Sequence, residues 1–314
     1  MPDVLRIIKA ELMRVSRQPF FYVIPLLALL LVIPGMIGEY KYALALHYKT
    51  LPLPPGASPP PSWGAELDVL LHWFRWKNLP GIVGPDLLGG WGIALFIYTG
   101  AVWFGNDLRT GVIRQLAVLR ECLATVIAGK ALALILYIVA VLGLTVFGAV
   151  ITTLFLPEVP GREVGALLSV TFVRNIAIYI SIALLWALLA AAVTIFAASE
   201  LLGGIGAFVW TAAEKIAFLG NCNPTAQFFA RVAPWSTCQS LLASSLCDNL
   251  SWLGNTQYSP EMLTLRILPL TFTTGAFGPK PYLLPFLFLL AMLGIYLLVG
   301  TVAVFIGYRW RVSK

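Results

Sequence analysis

From Ala131 to Leu156 the chain carries no charged side chain at all. An α-helix needs ~20 apolar residues to cross a hydrocarbon layer, so a run of this length belongs in a bilayer. Five other apolar runs of similar reach stand at 20–38, 86–104, 176–198, 201–220 and 283–308. Hydrophobic residues make up 59% of the 314 positions and charged residues 11%. Soluble domains carry roughly 25% charged residues, which excludes a soluble fold. The expected fold is an all-α polytopic membrane protein: six transmembrane helices in a single domain over 1–314, preceded by an interfacial amphipathic helix.

The net charge is +7, and its placement matters more than its size. Arg6, Lys9, Arg14 and Arg17 lie at the amino end. Arg109, Arg114, Arg120 and Lys130 lie in the segment 105–130, and Arg309, Arg311 and Lys314 at the carboxyl end. Six crossings put these three segments on one face, and the positive-inside rule makes that face cytoplasmic. The basic bias therefore reads as topology, with no nucleic-acid role. Both termini are expected in the cytoplasm, the protein being integral to the plasma (inner) membrane of a prokaryote.

Residues 3–18 place Leu5, Ile8, Leu12 and Val15 at helical spacing among basic residues, which predicts an amphipathic helix in the cytoplasmic interface. A signal peptide is the competing reading of a basic start before an apolar run. No small-residue cleavage site follows Pro34 and Gly35, so the first span is expected to stay attached. That span, 20–38, holds Pro25 and Pro34, either able to kink it. The exterior segment 39–85 contains LPLPPGASPPP, too poor in amide donors for a helix, and LLHWFRWKNL at 70–79, which predicts a segment resting at headgroup level. The apolar character after the basic loop begins near Leu123, so the third helix should extend below the bilayer before its span at 131–156. One helix over 176–220 would run about 68 Å at ~1.5 Å per residue, more than twice the hydrocarbon thickness. A tight cytoplasmic turn must fall near Ser199 and Glu200. The exterior loop 221–281 should fold into short helices before the last span.

Several chemistries find no residues. AGKA at 128–131 lacks the upstream glycine, the hydroxyl residue and the flanking strand of a Walker A loop. His47 and His72 both fall in the first exterior loop, away from any haem site in the membrane. Neither a metal-ligand spacing nor a carboxylate pair for acid–base work is present. In the exterior loop, two of Cys222, Cys238 and Cys247 are candidates for one disulfide, and the sequence does not choose the pair. Glu214 and Lys215 are the ionisable residues set deep in a span, candidates for the substrate pathway, with an outer interfacial pair as the plainer alternative.

What remains is the polar segment 105–130. Asp107 is placed to cap a helix with Val112, Leu116 and Leu119 on its apolar side and Arg109, Arg114 and Arg120 on the other. Such a helix between two spans can receive force from a partner. A basic loop explained by topology alone is the plainer alternative.

The element order and this loop resemble the membrane subunit of type-2 ABC transporters, also termed type V ABC exporters. In that family an acidic residue four positions before a glycine opens the segment after the second span, and a Gly-Lys pair precedes the third. Asp107 with Gly111, and Gly129 with Lys130, match those positions. The chain departs in having Asp where Glu is commoner, Val112 where Thr usually follows the glycine, and no Pro-x-x-Arg around Arg120 to Thr125. The resemblance in layout spans the whole chain, although the first exterior loop is longer than the family's.

The resemblance implies a permease, with two six-span subunits side by side, as a homodimer or with a related chain, in a lipid bilayer. Each subunit would sit on a cytoplasmic ABC ATPase that binds ATP and Mg, so this chain would itself be no enzyme and hold no cofactor or metal. Residues 3–18, with Arg6, Lys9 and Arg14, would be the connecting helix and 107–121 the coupling helix. Asp107, Gly111, Gly129 and Lys130 would belong to the coupling region, joined by the basic residues Arg109, Arg114 and Arg120. Cargo would be hydrophobic or amphipathic and move outward, with spans one, two and five lining the route. The alternative from another class is a non-transporting scaffold or accessory subunit of a larger membrane complex.

Overall fold

The computed structural model describes residues 2–50, 64, 66–88, 92–110, 123–220, 233–235, 237–238, 241–242 and 286–312. Regular structure among them is entirely helical. The principal helices are α1 (Pro2–Ser16), α2 (Phe20–His47), α3 (Pro80–Leu88), α4 (Ile93–Thr110), α5 (Leu123–Phe155), α6 (Val170–Ala197), α7 (Glu200–Gly220) and α8 (Phe286–Val312). Four of them, α2, α5, α6 and α8, are long and apolar enough to cross a bilayer, and the chain is a membrane-embedded protein. A bent pair, Trp76–Leu88 with Ile93–Thr110, meets the same measure only when its two arms are taken together. Helix α7 lies where a fifth span is expected and is not among them, so the described residues hold four spans, or five with the bent pair, against six expected.

Most boundaries move for identifiable reasons. The first span, α2, does not stop at residue 38 but runs to His47, nine positions into the expected exterior loop. Its buried stripe, Ile24, Ala28, Val32, Met36, Tyr40 and Ala43, keeps helical spacing past the apolar run, and Tyr40 Oη donates to the Pro157 carbonyl at 3.0 Å. Packing, not hydropathy, sets that end. The second span, expected unbroken over 86–104, is two helices turned by 66°. Residues 89–92 read GGWG, and glycine costs a helix about 0.5–1 kcal/mol relative to alanine, which disfavours one unbroken helix across this sequence. Helix α5 does begin at Leu123, as its early apolar onset predicts. The last helix runs to Val312 instead of ending near 308. The proline-rich stretch falls outside the described residues.

The tryptophan-rich segment packs into the protein. Leu71, Phe74, Trp76 and Leu79 are buried, Trp76 Nε1 donates to Thr153 Oγ1 at 3.0 Å, and the Phe74 ring meets Tyr40 edge to face. A buried indole needs an acceptor, and the last turn of α5 supplies one.

Helix α6 is the hub. Of its apolar stretch 61% is buried within the protein, against 17% for α8 and 28% for α2. The peripheral helices therefore turn their apolar faces outward, as lipid solvation allows. At its far end the chain reverses within Ala198 and Ser199. Ala198 is left-handed (φ 55°), and Ser199 Oγ accepts from the Leu202 amide at 3.3 Å, which caps α7.

Both Pro25 and Pro34 sit inside α2. A proline at 25 has no amide to offer the carbonyl four residues earlier, that of Phe21. Tyr137 Oη on α5 donates to that carbonyl at 3.1 Å. Tyr137→Phe is expected to lower stability by about 1–3 kcal/mol, and to cost much less in a Pro25→Ala background, where the helix amide is restored. Thermal unfolding of the four proteins of this cycle in one detergent checks it; equal losses in both backgrounds would refute the pairing.

Candidate functional site

At the amino end of α5, five side chains from four helices close on one another. Asp107, in the last full turn of α4, and Lys130, two turns into α5, are both buried. Lys130 Nζ lies 2.7 Å from Asp107 Oδ2 and 2.9 Å from Oδ1. Helix α1 brings Glu11 and Arg14, one turn apart on the same face. Arg14 Nη1 is 2.6 Å from Asp107 Oδ1 and its Nη2 2.6 Å from Glu11 Oε2. Glu11 Oε1 is 2.9 Å from Lys130 Nζ, which closes a ring of two cations and two carboxylates. Tyr308, near the end of α8, donates its hydroxyl to Asp107 Oδ2. Each Asp107 oxygen thus accepts two donors.

The formal charges cancel inside the ring, as burial demands: an uncompensated ion at such a depth costs several kcal/mol. Burial alone would lower the Arg14 pKa, but the carboxylates of Asp107 and Glu11 outweigh it and hold the guanidinium above its ordinary value.

Gly129 explains how α1 gets so close. A Cβ at that position would stand 2.5 Å from Ile7 Cγ2, so only glycine lets α1 lie on α5 at this level. Glycine admits the helix and the next residue, Lys130, binds it. The same end of the bundle holds a further tie. Arg311 on α8 donates through Nε and Nη2 to the carbonyls of Ile195 and Phe196, 3.0 and 2.9 Å away. These are open carbonyls of the last turn of α6, where a cation also suits the helix dipole.

The expected capping role of Asp107 is overturned. The residue lies inside α4, which continues to Thr110, and its carboxylate binds side chains of three other helices in place of backbone amides. Arg109 turns outward and donates to Asn106 Oδ1 at 3.0 Å. Gly111, Arg114 and Arg120, and with them most of the expected helix 107–121, lie outside the described residues. On α1, Arg14 joins the ring while Arg6 and Lys9 are exposed. Glu11 and Tyr308 carried no sequence expectation. Glu11 is signalled by its spacing to Arg14, and Tyr308 only by a hydroxyl near the end of an apolar helix.

At the opposite end, Glu214 binds the Trp235 amide at 2.7 Å and the Trp210 indole N–H, which pins the segment around Trp235 to α7. The Lys215 side chain lies outside the described residues. Cys238 is a buried free thiol, so it takes no part in a disulfide. Cys222 and Cys247 lie outside the described residues.

No protein-family model matches the chain, and no curated protein matches it.

Proposed function

We propose that the chain is the membrane-spanning permease subunit of an ATP-driven ABC-type exporter, with six crossings and both termini in the cytoplasm. The observation that carries this reading is the ring of Glu11, Arg14, Asp107 and Lys130, closed by Tyr308. It joins an amphipathic helix outside the bundle to α4, α5 and α8 at the point where the basic segment 111–122 leaves one span and enters the next. A push on that segment reaches α4 and α5 directly, and the ring passes it to α1 and α8. The bent pair and α7 supply the crossings beyond the four apolar helices. ATP and Mg belong to a cytoplasmic partner ATPase, a second permease subunit completes the conduit, and the cargo is hydrophobic or amphipathic.

The test begins with isolation from the native membrane, where an ABC ATPase in stoichiometric amount is the expected companion. Reversing Arg109 and Arg114 together to Glu should then abolish substrate-stimulated ATPase activity while the permease keeps its unfolding temperature. Unchanged ATPase binding and stimulation after the reversal would favour a non-transporting scaffold instead.

A further inference from the structure

Beside α6, at the end remote from the ionic ring, a groove of about 230 Å³ runs between α6 and α8. Its walls are Ala177, Ile178, Leu290 and Leu293, with Ser181 at one end and Arg174 at the other. Arg174 stands one turn after the start of α6 and Ser181 two turns further in, about 10 Å deeper at ~1.5 Å per residue. The groove is therefore graded, with a cation near the start of α6 and apolar walls further along it. Next to the cation is a second donor. Asn175 is fully buried, its Oδ1 lies 3.3 Å from Arg174 Nη2, and its Nδ2 has no hydrogen-bond partner.

We propose that this groove binds one anionic phospholipid of the leaflet opposite the ionic ring. The phosphate lies on the Arg174 guanidinium, and one acyl chain follows the apolar walls toward Ser181. Guanidinium and phosphodiester form charge-assisted, geometrically matched hydrogen bonds. The contact between Arg174 and Asn175, at 3.3–3.4 Å, is long enough for a phosphate oxygen to displace it. The bilayer itself supplies the occupant, because a groove open to lipid at this depth meets phospholipid at every encounter. The proposal needs only a membrane-embedded protein and stands whether or not the chain works with an ATPase.

The experiment titrates the detergent-purified protein with dioleoylphosphatidylglycerol, dioleoylphosphatidylcholine or glycerol 1-phosphate, and counts bound ligand by native mass spectrometry. The anionic lipid should bind about tenfold more tightly than the zwitterionic one: both offer a phosphodiester to Arg174, but the choline cation of the latter is repelled by the guanidinium. Arg174→Gln should remove that preference. Ala177→Leu, which fills the groove and keeps the charge, should weaken both lipids. Equal preference in Arg174→Gln and the unmodified protein would overturn the headgroup assignment, and unchanged affinity in Ala177→Leu would overturn the acyl path. Glycerol 1-phosphate binding as tightly as the lipid would mean that a free phosphate, not a lipid, is the ligand.

Discussion

Replacing Lys130 by Met should destabilise the protein by about 3–5 kcal/mol, the cost of leaving one buried ion without its partner. Lys130 is buried and bridges Glu11 and Asp107, so the substitution leaves two carboxylates facing a single arginine. Met nearly matches the stem of lysine in volume, so the loss isolates the ammonium. The paired change, Lys130→Met with Asp107→Leu, should recover much of the stability, since an apolar replacement of a whole ion pair is often neutral or better. That recovered protein separates structure from function. It should fold, and, if the chain is the permease proposed above, the ATPase partner should no longer respond to substrate. Denaturation in detergent and a coupled ATPase assay give the two readings; normal coupling in the double variant would mean that the ring holds the fold and transmits nothing.

Asp107→Ala should cost as much and fail in a different place. Asp107 accepts from Arg14, Lys130 and Tyr308, and so is the single residue on which α1, α5 and α8 converge. Without it, two cations share Glu11, and α1 keeps the Glu11–Lys130 bridge and its packing of Ile8, Leu12 and Val15. We expect a loss of about 3–5 kcal/mol, together with faster amide exchange along α1 while α6 stays protected. Exchange that speeds up uniformly over all helices would argue against a local release of α1. Exchange that leaves α1 unchanged would remove Asp107 as its anchor.

How far these features can be read from sequence depends on which force sets them. Apolar length decides the existence of α2, α5, α6 and α8, and it foretells the start of α5 at Leu123. It cannot foretell the end of α2, because Tyr40 is held by contacts with Pro157, 117 positions away, and with Phe74 in the next segment. The break after Leu88 is written in GGWG, a local signal that hydropathy averaging hides. The site divides in the same way. Asp107 and Lys130 stand out as charges bordering apolar runs, and the structure brings them together. Their ring partners do not stand out: Glu11 looks like one more polar residue of an amphipathic face, and Tyr308 like a belt aromatic. The inward turn of Asp107 is a tertiary choice, made because cations on two other helices offer a buried carboxylate more than an exposed amide would.

The neutrality of the ring has an electrical consequence. Carrying one elementary charge through a 100 mV drop takes about 2.3 kcal/mol. Glu11, Arg14, Asp107 and Lys130 together sum to zero, so displacing them as a body does almost no work against a transmembrane voltage. A stroke delivered through this junction would run equally well in an energised or a depolarised cell.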